Sequence, residues 1–532
     1  MKHFHVVFQP DGKDVHIHQG ATVLEAAGQA GIPLTTPCGG KGTCGKCLVE
    51  LSGSGQMVRA CQHTVQSDLT VMVPPASRLY EHQILAHGVD RAAKIRPTIV
   101  EKHRAATGSD VFLGLAVDIG TTTVVAKLID LADGRCLNTQ ATLNPQIRFG
   151  DDVISRISYA NSPATLTELH KTIIGCINDL IDRLCKAAET DPTAICEACF
   201  VGNTTMNHIL LDFPIEQLGQ APYEAHSVEA HDLAPGKLGL HMNLRGNVHT
   251  VENIAGFVGS DTTAVALAVD MGSAAGMTLV VDIGTNGELV LGTSEKLYAA
   301  SCAAGPALEG ARIKHGGRAA EGAIEAVVID DGDIGLDVIG RAKPRSICGS
   351  GLIDAVAVLL ELGVIDATGR FVSPQQAQGR LSEAARARLI EVDGQQAFCL
   401  AFDQSVSRPT VVLTQKDIRE FQLAKGAIQA GIQLLLRKTD TKASGLESVM
   451  LAGAFGNYIR PASAVAVGLL PDVPLERIHF VGNAAASGAE MLLLSDDCRR
   501  RSAALARKIE YVEIAHERDF ADVFADAMLL SP

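Results

Sequence analysis

The sequence predicts a multidomain α/β chain, with a small sheet-and-helix unit at the N-terminus followed by two related α/β halves. Three observations carry this reading. A glycine-wrapped cysteine segment, Cys38-Gly-Gly-Lys-Gly-Thr-Cys44-Gly-Lys-Cys47, lies between short strand-like runs near the N-terminus. The word Val117-Asp-Ile-Gly-Thr121 recurs as Val281-Asp-Ile-Gly-Thr285. Phe200-Val-Gly-Asn203 recurs in the same order as Phe480-Val-Gly-Asn483. At 532 residues the chain is too long for a single core.

Composition narrows the class. A net charge of −14 and the absence of tryptophan argue against nucleic acid as the main partner. No apolar run approaches the ~18 residues that would span a membrane. Thirteen cysteines form an odd set, and no secretory h-region follows the N-terminal His-Phe-His-Val-Val-Phe run, so a reducing, cytoplasmic setting is expected.

In the first unit, placed at residues 1–76, the runs His3–Phe8 and Val15–His18 alternate as strands do. Thr22 and Glu25 form a capping box at the start of a helix, and Gly31 is a natural stop. The runs Cys47–Leu51 and Leu69–Val73 add strands, so a compact sheet gripping a helix is expected. The cysteines are spaced C-x5-C-x2-C, with Cys61 following after thirteen residues. Zinc would favour two CxxC pairs on short knuckles. Three thiolates on one loop and a fourth from a separate turn suit a [2Fe–2S] cluster on Cys38, Cys44, Cys47 and Cys61. The glycines allow backbone N–H groups to approach the bridging sulfides. Four reduced or zinc-bound cysteines are the competing reading. The segment resembles the [2Fe–2S] ferredoxins, with a shorter gap before the last cysteine than plant ferredoxins have. With no flavin, molybdenum or quinone motif beside it, such a cluster moves single electrons. Residues 77–108 read as a linker, with a surface helix over Tyr80–Ala93 as the alternative.

Beyond the linker, each Asp-Ile-Gly-Thr word lies between apolar runs, which predicts strand, tight turn, strand, twice. Facing hairpins would place the backbone and hydroxyl groups of Gly120, Thr121, Thr122 and Thr123, and of Gly284, Thr285 and Asn286, around the phosphates of one nucleotide. Asp118 and Asp282 would then stand within reach of a Mg²⁺ shell. A third word, Gly453, Ala454, Phe455, Gly456 and Asn457, follows the strand-like Ser448–Leu451 and suits an adenosine lying on bare backbone. A fourth, Gly349-Ser-Gly351, opens a helix and serves either the nucleotide or helix–sheet packing.

These words in this order resemble the acetate and sugar kinase, heat-shock cognate and actin superfamily. The resemblance implies an N-terminal β-grasp ferredoxin-like domain followed by two ribonuclease-H-like lobes around an ATP cleft, the lobes covering about 109–275 and 276–532. It further implies that Asp118–Thr123 and Asp282–Glu288 are the two phosphate loops, and that both Phe-Val-Gly-Asn words begin the helices connecting the lobes.

An electron carrier joined to a hinged ATPase has few uses. Driving an electron uphill costs ~1.4 kcal/mol per ~60 mV, within reach of a nucleotide-driven change in affinity. With Asn144-Pro-Gln-Ile-Arg-Phe-Gly-Asp-Asp-Val-Ile-Ser-Arg156 and Ser301-Cys-Ala-Ala-Gly-Pro-Ala-Leu-Glu-Gly-Ala-Arg312, the whole chain resembles the reductive activators of corrinoid proteins. That resemblance implies ATP-dependent transfer of one electron to a Co(II) corrinoid protein or corrinoid-dependent methyltransferase, regenerating Co(I). It implies Ser301 as a candidate oxygen donor to cobalt, and Glu309 or Asp261 as the carboxylate that orients water or Mg²⁺. The electron donor is unnamed. Some members place a further small domain before the ATPase; residues 77–108 leave no room for one, so a homodimer stays open.

Other features take plain readings. Asp151-Asp152 is a helix cap, Cys196 and Cys199 are buried strand cysteines, and the seventeen histidines show no HxxxH pairing that would indicate a catalytic metal. Three functions compete with activation: a small-molecule kinase with a redox-switch domain, a radical-dehydratase activator, and a non-catalytic redox or nucleotide sensor.

Overall fold

Alternation of apolar and polar residues builds the first sheet. In the computed structural model, which describes residues 2–530 except 11, 31, 33, 35–46, 75–76, 78–110, 151, 311, 318, 404–407 and 454–458, the N-terminal strands are β1 (His3–Gln9), β2 (Lys13–His18), β3 (Leu48–Leu51), β4 (Gln56–Arg59) and β5 (Leu69–Met72). Their order is β2-β1-β5-β3-β4, with β1 parallel to β5 and its other partner antiparallel. Val6, Phe8 and Ile17 turn inward and are fully buried against a helix at Val23–Gln29. That helix starts on the expected Thr22/Glu25 capping box. This is the β-grasp arrangement. Gly31 and the Tyr80–Ala93 segment lie outside the described residues.

The first lobe contains β6 (Leu113–Ile119), β7 (Thr123–Asp130), β8 (Cys136–Leu143), β9 (Ile195–Gly202), β10 (His231–Leu233) and β11 (Asn247–Thr250). The second begins with β12 (Thr278–Ile283), β13 (Gly287–Gly292) and β14 (Leu297–Cys302). Two three-stranded sheets follow: β15 (Ala323–Asp330), β16 (Asp333–Val338) and β17 (Ser346–Ile347), then β18 (Leu389–Val392), β19 (Gln395–Asp403) and β20 (Arg408–Thr414). The chain returns to the main sheet with β21 (Ser448–Ala452), β22 (Ile478–Gly482) and β23 (Ile509–Tyr511). The two main sheets share the order β11-β9-β6-β7-β8 and β22-β21-β12-β13-β14. Each is an antiparallel three-stranded meander flanked by two parallel strands, the ribonuclease-H-like pattern.

That order corrects one expectation. The two Phe-Val-Gly-Asn words are not topological equivalents. The first ends β9, whose counterpart is β21; the second ends β22, whose counterpart is β11. They match because both places use one local device, a glycine ending a strand and an asparagine capping the next helix. Asn203 Oδ1 accepts from the Met206 N–H at 3.0 Å, and Asn483 Oδ1 from the Ala486 N–H at 2.9 Å. The helix at Thr204–Leu210 is buried within the first lobe. The helices joining the lobes are Ser260–Ala268 and Ala484–Leu494.

Strand parity then makes one core out of two sheets. Ala116 and Val201 of the first sheet, and Val280, Val290 and Ala299 of the second, face the same cluster as Val265, Ala489 and Leu493 of the joining helices. The helix at Ala484–Leu494 belongs by sequence to the second lobe, yet it packs on β6 and β9 of the first. Two glycines make this possible. A Cβ at Gly114 would come within 2.8 Å of Leu493, and one at Gly488 within 2.7 Å of the Ala264 methyl group. The Gly349-Ser-Gly351 word also proves to serve packing, because a Cβ at Gly351 would meet the backbone of Ile324 on β15.

The N-terminal unit contacts the second lobe through histidines. His3 and His18 are cross-strand partners, and both face Asp337 of β16, at 2.7 and 3.6 Å. Asp337 is only 3% exposed, and the two imidazoles hold it below the usual carboxylate range despite burial, which alone would raise it.

Gly488→Val should force the joining helices apart and cost about 2–4 kcal/mol in chemical unfolding, with the visible cluster spectrum unchanged.

Candidate functional site

The polar residues of the cleft are the next members of the apolar rows that form the shared core. Along β6, Ala116 faces that core and Asp118 follows it; along β12, Val280 is followed by Asp282. Across the second sheet, Asp282 pairs with Glu288 and Glu288 with Ser301, so three polar side chains form one row. Asp261 enters from the first turn of the Ser260–Ala268 helix. The floor of the cleft is therefore acidic.

The carboxylates oppose one another's ionisation. Burial, then the nearby Asp261, pushes Asp118 up to about 7, with a hydrogen bond from Asn483 pulling the other way. Burial, then Asp261 and Asp118, pushes Asp282 up to about 8. Burial raises Asp261, and burial together with Asp261 and Asp282 raises Glu288 well above the carboxylate range. Protonation relieves such a set, and its all-oxygen donors also suit a hard divalent cation.

Above the floor, the two hairpin turns meet. Thr122 Oγ1 and Thr285 Oγ1 lie 2.8 Å apart, and the Thr285 hydroxyl donates to Glu309 Oε1 at 3.1 Å. The Gly120 N–H donates to Thr123 O and the Gly284 N–H to Asn286 O, both at 3.0 Å. A Cβ at Gly120 would stand 2.6 Å from Thr123 O, so that turn requires glycine. Asn203 Nδ2 donates to Thr121 Oγ1 at 2.9 Å. Gly453 has φ +97°, and a Cβ there would lie 2.8 Å from Asp282 Oδ1; Ala454, Phe455, Gly456 and Asn457 lie outside the described residues.

The turns are supported differently. Asn144 Nδ2 donates to Gly120 O at 2.9 Å. The fully buried Arg156 donates through Nη2 to Thr121 O at 2.6 Å, and its other nitrogens reach Gly150 O and Gln146 Oε1. This gives the Asn144–Arg156 stretch a concrete role, since its ends buttress the first loop from behind. Asp152 caps the helix at Val153–Tyr159, accepting from the Ser155 N–H at 2.7 Å; Asp151 lies outside the described residues. Ser301 stands within β14 and not in the turn after it.

Glu288, expected at the end of the second phosphate loop, has no acidic counterpart in the first word. Aligned without gaps, it matches Val124, which faces the inner core of the first lobe. The second turn is one residue tighter, however: Asp118 pairs with Val125, seven positions on, whereas Asp282 pairs with Glu288, six positions on. A one-residue slip exchanges the faces of a strand, so Glu288 emerges in the cleft.

In the N-terminal unit, the β3–β4 register pairs Leu48 with Arg59, and the Ala60 N–H donates to Cys47 O at 2.9 Å. Cys47 and Cys61 are thereby buried with their sulfurs 3.3 Å apart. Two thiols converging beside a glycine-rich loop fit half of a four-thiolate cluster site; Cys38 and Cys44 lie outside the described residues. Cys196 and Cys199 are buried on β9, and burial pushes both thiols up to about 12, as expected of inert core cysteines. No helix among the described residues is long and apolar enough to cross a membrane.

A [2Fe–2S]-type module and a two-lobed nucleotide cleft thus occur in one chain. Three family profiles match it: a 2Fe-2S iron-sulfur cluster binding domain over residues 5–73, the RACo middle region over 113–274, and the C-terminal domain of RACo, the ASKHA domain, over 276–532. The chain is 32% identical to the corrinoid activation enzyme RamQ of Eubacterium limosum, across 98% of both chains. It is 25% identical to the [Co(II) methylated amine-specific corrinoid protein] reductase of Methanosarcina barkeri, across 71% of this chain and 70% of that one. A solved structure of a reductive activator for corrinoid, iron-sulfur protein superposes with TM-score 0.74 at 31% identity, covering 99% of this chain and 98% of that one. The chain belongs to the RACo family.

Replacing Glu288 by Gln removes one of the mutually repelling carboxylates. The nucleotide-free protein should gain roughly 1 kcal/mol in unfolding free energy. The stabilisation by saturating Mg²⁺–ATP, ~2–3 kcal/mol near 100 times Kd in the parent, should largely vanish in the same thermal-shift assay.

Proposed function

We propose that this chain is an ATP-dependent reductive activator. It passes one electron from a [2Fe–2S] cluster on Cys38, Cys44, Cys47 and Cys61 to a Co(II) corrinoid held by a partner protein, which becomes Co(I), ready for methyl transfer. A one-electron donor would have to return the electron to the cysteine-held cluster before the next cycle. The observation that carries this reading is the joining of a converging cysteine pair, Cys47 and Cys61, to a two-lobed cleft whose turns touch through Thr122 and Thr285, in a chain alike over nearly its full length to named corrinoid activators.

The modular arrangement divides the work. The unit at 1–76 carries the electron, 77–108 links it, and 109–532 binds the nucleotide in two lobes. In the cleft, N–H and hydroxyl groups of Gly120–Thr123 and Gly284–Asn286 hold the phosphates, while Gly453–Asn457 receives the adenosine. Asp118, Asp261, Asp282 and Glu288 would hold Mg²⁺, which would supply positive charge against their repulsion and that of the phosphates. Glu309, fixed by the Thr285 hydroxyl, orients the water that attacks the terminal phosphate. Opening and closing of the turns is transmitted by the joining helices, which each lobe shares with the other.

Ser301 is the oxygen offered to the oxidised corrinoid. It shares a cross-strand row with Glu288 and Asp282, so filling the cleft with metal and nucleotide alters the surroundings of that hydroxyl directly. Gripping Co(II) in the nucleotide-free state and letting go with nucleotide bound lets ATP offset the uphill electron transfer.

The test is to reduce the protein, add a Co(II) corrinoid methyltransferase or methionine synthase, and follow Co(I) absorbance. Co(I) should rise only with ATP; equal traces with and without ATP for every corrinoid partner would sink this reading, and a phosphorylated small molecule would promote a kinase. Cys44→Ser should abolish Co(I) formation and leave nucleotide binding intact, whereas Asp282→Ala should lose nucleotide binding, and with it Co(I) formation, while its iron–sulfur absorbance still bleaches on one-electron reduction. Ser301→Ala should weaken nucleotide-free binding to the Co(II) partner about tenfold, or ~1.4 kcal/mol, and remove its sensitivity to ATP.

A further inference from the structure

The outer face of the β1–β2 hairpin carries an unusual set of donors. Parity places His3 and His5 of β1, and Asp14, His16 and His18 of β2, on the side opposite the buried Val6, Phe8 and Ile17. They form two rungs, since His3 pairs with His18 and His5 with His16. The first rung is committed to Asp337 of the second lobe. The second remains open. Its imidazoles stack with centroids 4.4 Å apart, and Asp14 Oδ2 accepts from His5 Nε2 at 2.8 Å. One donor atom from each of His5, Asp14 and His16 can be chosen so that all three lie within 4.8 Å of one another. The hairpin is anchored on its other flank, where the His5 N–H donates to Asp68 Oδ1 at 2.7 Å.

We propose that His5, His16 and Asp14 form a binding site for a borderline divalent transition metal such as Ni²⁺ or Zn²⁺, on the N-terminal unit and separate from its cysteines. Two directly opposed imidazoles and a diagonal carboxylate offer one face of a coordination shell, and water completes the rest. The nitrogen ligands select against Mg²⁺ and Ca²⁺, which demand oxygen. Metal takes the place of the proton shared between His5 and Asp14, and the imidazoles part from their stack by rotation about χ2. Neither ring nor carboxylate is locked by burial: the His5 side chain is 39% exposed and Asp14 54%. The rigid part is the backbone register, which brings the ligands together without ordering a loop. Burial first, and then Arg341 of the second lobe, disfavour charge on His16. The site and the His3–His18 contact with Asp337 are adjacent rungs of one ladder.

Helical HxxxH spacing does not describe this set. In strands an HxH pair, present at His3/His5 and again at His16/His18, puts its histidines on one face, and hairpin pairing brings one from each strand together.

The test is a calorimetric titration of full-length, tag-free, cluster-loaded protein with Ni²⁺, in excess Mg²⁺ without nucleotide, so that the oxygen ligands of the acidic cleft are occupied and no free chelator competes. One equivalent should bind. The double variant His5→Ala/His16→Ala should lose at least tenfold in affinity with its visible cluster absorbance unchanged, and Asp14→Asn, a change at an exposed position, should lose several-fold. No Ni²⁺ binding by the parent, or an affinity unchanged in both variants, overturns the proposal.

Discussion

The structure depends on one shared hydrophobic core. Two sheets that would each be half-buried alone are closed against the same pair of helices, Ser260–Ala268 and Ala484–Leu494, and neither lobe can complete its own interior without the other. Close approach at Gly114 and Gly488 sets the spacing. The cleft is what remains where the apolar rows end. Asp118, Asp282, Glu288 and Ser301 are not placed by loops of their own; each stands at the cleft end of a strand whose other same-face residues are packed core, the last such position on β6, β12 and β14 and the first on the antiparallel β13. This explains why groups of like charge can be held together: the apolar packing behind them supplies free energy that mutual repulsion opposes.

Much of this was legible in residue order. The Asp-Ile-Gly-Thr words gave two equivalent hairpins, the Thr22/Glu25 box gave the helix start, and strand alternation separated Val6, Phe8 and Ile17 from the histidines between them. The exception has a physical cause. Identical words were taken for identical places, but Asn203 and Asn483 are alike because capping has few solutions, and topology alone tells β9 from β22. Glu288 is expected at the end of a phosphate loop; that its side chain joins Asp282 on the cleft face is read only from the pairing register, since the second turn is one residue shorter. Asp261 is a candidate from its own glycine-rich word, and its convergence with Asp282 from a different element is a fact of packing.

The electron-carrying unit follows a different logic from the lobes it serves. Its fold is self-sufficient, with its own buried core around Phe8 and Val71, and it meets the second lobe mainly through polar side chains. The aspartate is buried, so parting it from His3 and His18 would leave a charge without compensation until water reaches it. The strength of this seam therefore rests on the charge of two imidazoles, which an apolar seam would not. The lobes, by contrast, are joined through apolar surface, and their relative movement must preserve that contact.

The two turns have also diverged in what stands behind them. Arg156 and Asn144 back the first, whereas Glu288 and Glu309 attend the second. A fold built by doubling one motif has become mechanically unequal across its middle. The first turn is pinned through its own carbonyls by a buried side chain that has nowhere else to go, whereas the second is tied by a single hydroxyl to a carboxylate, so pseudo-symmetry in the backbone does not extend to the ease with which each turn can give way.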